Sequence, residues 1–154
     1  TYSAAVRACG TGGEWAKALW LLVEMAFACV ELNSITCSAA VGACVKGGEW
    51  AMALRLFADI KSSRVELDTM SYNTAVSACE TGGDWVKAVW LLQEMASSRV
   101  DSDTITYGTV VLACERGSGW VKALSFLAEI ASARVELDTI TYSTAVVACE
   151  RGGQ

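Results

Sequence analysis

The chain repeats itself every 35 residues, and a repeat of that length leaves few folds open. Cysteine returns at Cys9, Cys44, Cys79, Cys114 and Cys149, and tryptophan at Trp15, Trp50, Trp85 and Trp120. Aligned on these columns, copies start near Thr1, Thr36, Ser71, Thr106 and Thr141, which makes four full copies and a partial fifth. Self-similarity at this period marks units that bury their apolar faces against their neighbours. The expectation is one stacked array over 1–154, a piece of a longer array, because neither end shows the polar face of a terminal unit.

Each copy reads as two helices. In the third, Tyr72, Ala75, Val76 and Cys79 stand three and four apart, as on one helical face. Gly82 and Gly83 end that helix, and Asp84 is placed to cap the next one. Trp85, Ala88, Val89, Leu92 and Met95 make the second apolar stripe. Ser97 and Ser98 fray it, and 100–104 links to the next copy. The turns of the other copies read Gly12-Gly13, Gly47-Gly48 and Gly117-Ser118-Gly119. The second helices carry Ala18, Ala53 and Ala123, with Met25, Ile60 and Ile130 near their ends. The alanine column Ala8, Ala43, Ala78, Ala113 and Ala148 would let helices approach closely. The tryptophan column is expected in the core, with Trp20 and Trp90 partly exposed.

Apolar residues make up 53% of the chain, enough for a continuous core. No segment offers the roughly 20 unbroken apolar residues of a membrane span; the longest candidate, 16–30, contains Lys17 and Glu24. Net charge is −5, which weighs against non-specific attraction to phosphates. Cysteines one repeat apart should lie about 10 Å from each other, beyond the ~7 Å reach of a disulfide. There is no histidine and no C-x-x-C pair, so no zinc or other metal site is expected, and the thiols read as small buried groups. Cys29 and Cys37 fall outside the column. No cofactor is implied. No enzyme is expected, since acid–base histidine and a phosphate-cradling loop are both missing and the carboxylates recur as surface and cap residues.

Ser71, Tyr72, Asn73 and Thr74 open the first helix of the third copy, and Ala88, Leu91, Leu92, Glu94 and Met95 shape its second. With Arg99, Val100 and Asp101 after them, these residues make the copy resemble the pentatricopeptide repeat family, in an algal or protist-type variant. The resemblance covers the entire chain. It implies an all-α fold, a right-handed α-solenoid of helix-turn-helix repeats. Where the family usually has a proline before the closing aspartate, this chain has Leu32, Leu67, Ser102 and Leu137.

The resemblance also implies binding of single-stranded RNA, about one base per repeat. Carried over by position, the base readers are Ser3 with Asn33, Ser38 with Asp68, Asn73 with Asp103, and Gly108 with Asp138. The first three resemble adenine, guanine and uracil pairs, and the fourth lacks one side chain. Ile35, Met70, Ile105 and Ile140 take the base-packing places. Lys46, Arg116 and Arg151 are placed to meet phosphates, with Glu80, Glu115 and Glu150 beside them. The same polar residues would also serve as helix caps and turns. The implied setting is a mitochondrion or plastid, in RNA processing, stability or translation. The alternative is an acidic protein-binding scaffold, a subunit of a large organellar assembly such as a ribosome or photosynthetic complex.

Overall fold

A computed structural model describes residues 1–117, residue 119 and scattered positions from 121 onward. Trp120, Ala123, Ile130, Asp138, Ile140, Thr141, Ala148, Cys149 and Arg151 lie outside the described residues.

Seven helices run through the described residues: α1 (Tyr2–Gly12), α2 (Trp15–Phe27), α3 (Ser34–Lys46), α4 (Trp50–Ser62), α5 (Thr69–Gly82), α6 (Trp85–Ser97) and α7 (Thr104–Arg116). From α3 on, first helices start 35 residues apart; all three second helices start at the tryptophan. α3, α5 and α7 begin two residues before the repeat marks at Thr36, Ser71 and Thr106. The cause is a cap. Asn33 Oδ1 accepts the Thr36 N–H at 2.9 Å, Asp68 Oδ1 the Ser71 N–H at 2.9 Å, and Asp103 Oδ1 the Thr106 N–H at 2.8 Å. Asp84 caps α6 through the Lys87 N–H, as its place in the turn predicts.

The helices fall into two compact units, Thr1–Ala78 and Cys79–Gln154. In the first, α1 packs on α2 and α3, and α3 packs on α2 and α4. Val6, Ala18, Leu22, Met25, Ala40 and Ala43 form its buried cluster. Phe57 of α4 meets Tyr72 of α5 edge to face, ring centres 5.3 Å apart. In the second unit α6 packs on α7. Ala43, Ala78 and Ala113 are fully buried, as close helix packing requires; Ala8, in the first copy, is exposed.

The two glycines of each turn serve different ends. The second of the pair takes a left-handed backbone: φ is 69° at Gly13, 81° at Gly48 and 68° at Gly83. The first does not need that freedom, since φ is −76° at Gly47 and −87° at Gly117. It makes room for the tryptophan of the preceding copy. A Cβ on Gly47 would stand 2.4 Å from Trp15 Cδ1, and one on Gly117 2.5 Å from Trp85 Cδ1. Trp15 and Trp85 are therefore half-buried, each ring against a turn of the next copy, with Trp15 also packed on the edge of the core cluster; Trp50 is exposed.

The cysteine column behaves as small buried groups. Cys44, Cys79 and Cys114 are buried, Cys9 half-buried, and all are free thiols. Burial pushes the Cys79 thiol up to about 12 and Cys37 and Cys114 up to about 11. Cys29 is exposed. Thiolates react, not thiols, so alkylation at pH 8 is expected to label Cys29 first. Cys37, Cys79 and Cys114 should label only in denaturant. Mass spectrometry of a timed iodoacetamide reaction reads the order directly.

Candidate nucleic-acid interface

Three of the first helices, α3, α5 and α7, each expose one long apolar side chain at the same place. Ile35, Met70 and Ile105 are the second residues of α3, α5 and α7, and they are 54%, 64% and 68% exposed.

In the first unit, Ile35 and Met70 line a groove of about 530 Å3 that runs over α1, α3 and α5. Ser38, Gly42 and Thr74 also line it, as do the exposed Arg7, Thr11 and Lys46. No carboxylate lines it, in a chain of net charge −5. Among the described residues no acid pairs with Arg7 or Lys46. Local structure explains this for Lys46. Arg116, at the same place two copies further on, bonds Glu80 at 3.0 Å. The place that Glu80 holds is Gly10 ahead of Lys46, and Gly10 has no side chain to offer. Gly10 is small for packing reasons, since a Cβ there would stand 2.8 Å from the Ala39 carbonyl oxygen. One close helix contact thus leaves a cation free.

A second hollow of about 720 Å3 lies between the loops 28–33 and 63–68, lined by Asn33 and Asp68 with Glu31, Arg64 and Glu66. Its three carboxylates outnumber its one cation, so its lining is acidic where that of the groove is basic. The sequence-derived readers are divided between the two hollows: Ser38 lines the groove, Asn33 and Asp68 line the loops.

The hydrogen bonds fix what the readers can offer. Thr36 Oγ1 lies 2.9 Å from Asn33 Oδ1 and 3.2 Å from Ser3 Oγ, so the buried Thr36 hydroxyl joins the first pair. Because Asn33 Oδ1 caps α3, its Nδ2 amide donors are turned away from the helix. Ser38 is buried and donates its proton to the Ile35 carbonyl at 3.0 Å, leaving its oxygen as an acceptor. Asp68 Oδ1 accepts from the Ser71 N–H and, at 2.7 Å, from the Ser71 hydroxyl. Partial burial pushes the Asp68 carboxyl up, but hydrogen bonds from Ser71 and Ser34 outweigh it and hold it below the usual carboxylate range. Its contribution to stability is therefore present above about pH 4 and lost as pH falls through the depressed value. Asp68→Asn keeps the acceptor and removes the charge. An acid titration followed by circular dichroism should show that part of the acid dependence gone.

Asn73 and Gly108 are half-buried and Asp103 is exposed, at the equivalent places of the third and fourth copies. Asp103 and Thr106 form a full capping box. Arg7 and Thr36 escaped the sequence reading. Arg7 recurs as Gly42 and Ser77, so no column marks it, and Thr36 looked like a repeat-start residue only.

The PPR repeat matches residues 1–27, 35–65 and 70–100, more than half of the chain. The chain belongs to the PPR repeat family. No curated protein matches it. Among solved structures, PPR10 from maize is similar at 27% identity and a TM-score of 0.78, over 99% of this chain and 22% of that one. PPR10 in complex with an 18-nt psaJ RNA element is similar at 24% identity and a TM-score of 0.80, with the same coverage. The PPR domain of Arabidopsis thaliana protein-only RNase P 1, in complex with tRNA, is similar at 14% identity and a TM-score of 0.84, over 99% of this chain and 83% of that one. The fold is thus the all-α helical-repeat solenoid of PPR proteins. This PPR chain spans about a fifth of the length of PPR10. No helix among its described residues is long and apolar enough to cross a membrane.

Proposed function

We propose that this PPR array is a non-catalytic module that binds single-stranded RNA, about one base per repeat, on the surface of its first helices. The observation that carries the reading is the groove over α1, α3 and α5: two unpaired cations and no carboxylate at its lining, in an acidic chain. Ile35 and Met70 supply apolar surface for base faces, and Arg7 and Lys46 supply the charge for phosphates. PPR10 and the RNase P 1 domain, both solved with RNA, support the same use of the fold.

The hydrogen-bond chemistry supports the base assignments. The first pair offers amide donors from Asn33 beside the Ser3 hydroxyl, which suits adenine, with one ring-nitrogen acceptor and one amino donor on its pairing edge. The second offers acceptors only, Ser38 Oγ and the Asp68 carboxylate, which suits the two adjacent N–H donors of guanine. By repeat equivalence Asn73 with Asp103 reads uracil and Gly108 with Asp138 a fourth base. Ile105 and Ile140 pack on bases as Ile35 and Met70 do, and Arg151 joins the phosphate row. The array as a whole acts as one piece of a longer reader of organellar RNA, in a mitochondrion or plastid, in processing, stability or translation. Filter binding of an A-G-U-containing RNA against a scrambled RNA, at two salt concentrations, tests the reading. Preference for A-G-U that weakens with salt is the expected result. Absence of binding at low salt would leave the acidic protein scaffold instead.

A further inference from the structure

α2 carries a surface that RNA binding does not use. Trp20, Val23 and Phe27 follow at helical spacing and are 61%, 52% and 83% exposed. The stripe is particular to this copy: α4 has Arg55, Ala58 and Ser62 at the same places, and α6 has Trp90, Gln93 and Ser97. It is not the seam of the stack either. Arg55, Ala58 and Ser62 are also exposed, although α4 sits in a copy with α1 to α3 before it and α5 after it.

The helix does not shield the stripe itself. On α6, Lys87 lies over the Trp90 ring at 5.3 Å. On α2 the matching Lys17 pairs with Glu14 instead. Lys17 is the sole cation of α2, so the charge the helix leaves beside the stripe is that of Glu24, four residues after Trp20 and three before Phe27.

We propose that this stripe docks an amphipathic helix of a partner protein, one with apolar residues at i, i+3 or i+4, and i+7, flanked by lysine or arginine. The acidic border selects those flanks and disfavours anionic lipid headgroups. A second copy of the chain would set the same carboxylates against themselves. Three side chains also expose only on the order of a few hundred Å2, short of the about 800 Å2 per partner of a standard interface.

The test uses two designed 16-residue amphipathic peptides, alike in their leucines, one flanked by lysines and the other by glutamates. Binding is measured by calorimetry to the wild-type chain and to a Trp20→Arg, Val23→Gln, Phe27→Ser variant. Those residues are the ones α4 and α6 carry at the same places, so the variant keeps a helix face that this fold already uses. The lysine peptide should bind the wild type and bind the variant at least ten-fold more weakly. The glutamate peptide should bind neither, and RNA affinity should be equal in both proteins. Equal binding to wild type and variant, or equal binding of both peptides, would overturn the proposal. So would a dimer in sedimentation that the variant abolishes, which would assign the stripe to a second copy, or capture by phosphatidylcholine vesicles in place of the peptide.

Discussion

Gly47→Ala and Gly117→Ala should each destabilise the chain by about 3 kcal/mol, while Gly12→Ala should be neutral or slightly stabilising. All three add one methyl at the same place in the repeat. At Gly47 the methyl would stand 2.4 Å from Trp15 Cδ1 and 3.2 Å from the Gly13 carbonyl oxygen. At Gly117 it would stand 2.3 Å from the Gly83 carbonyl oxygen and 2.5 Å from Trp85 Cδ1. Backbone cannot move aside as a flexible side chain can, so the ring and the turn must separate. At Gly12 the nearest atom, Glu14 Cγ, is 3.8 Å away, and alanine's better helix propensity acts alone. Thermal denaturation should show Tm falling by roughly 6–12 °C for the first two. In a repeat array the clasp is an interface term between neighbours, so unfolding should also broaden into steps. Three equal Tm values would mean that the tryptophan–glycine clasp holds nothing.

The second large effect concerns charge. Arg7→Gln and Lys46→Gln should each weaken RNA binding about ten-fold at low salt, and together about a hundred-fold. Each should also lower the slope of log affinity against log salt by about 0.7, the value for one phosphate on a single strand. Glu80→Gln with Arg116→Gln should leave affinity within about two-fold. The Arg116 guanidinium is already neutralised at 3.0 Å by Glu80, so deleting both removes no net charge. Both sets of side chains are at or near the surface, and circular dichroism should find the fold unchanged. Equal losses from the two sets would place the phosphate path over α7 as much as over the groove.

How much of this was readable beforehand depends on whether a feature recurs. Helix order, the left-handed glycines and the buried cysteine column repeat every 35 residues and were legible from one copy, while the Asp84 cap was legible from its own turn, since Glu14 and Glu49 at the same place make no such bond. Pairings between copies were not. Trp15 with Gly47, and Glu80 with Arg116, join two columns whose meeting depends on how hairpins stack. For the same reason the expectation of tryptophans in the core missed that Trp15 and Trp85 are half-buried rings lying against a turn of the next copy. The exposed Ile35, Met70 and Ile105 were located through the family resemblance rather than through periodicity, which would have placed such aliphatics inside. Arg7 had no column at all. Its importance follows only from the groove it lines, and Lys46 matters more than its column predicts because Gly10 faces it without a charge.

The central claim is that RNA lies over the first helices. Methyl-labelled isoleucine and methionine spectra, recorded with and without A-G-U-containing RNA, test it most directly. Ile35, Met70 and Ile105 should shift together, while the buried Ile60 and Met95 on the second helices stay in place. Shifts confined to the second helices, or none at RNA concentrations that saturate binding, would contradict it.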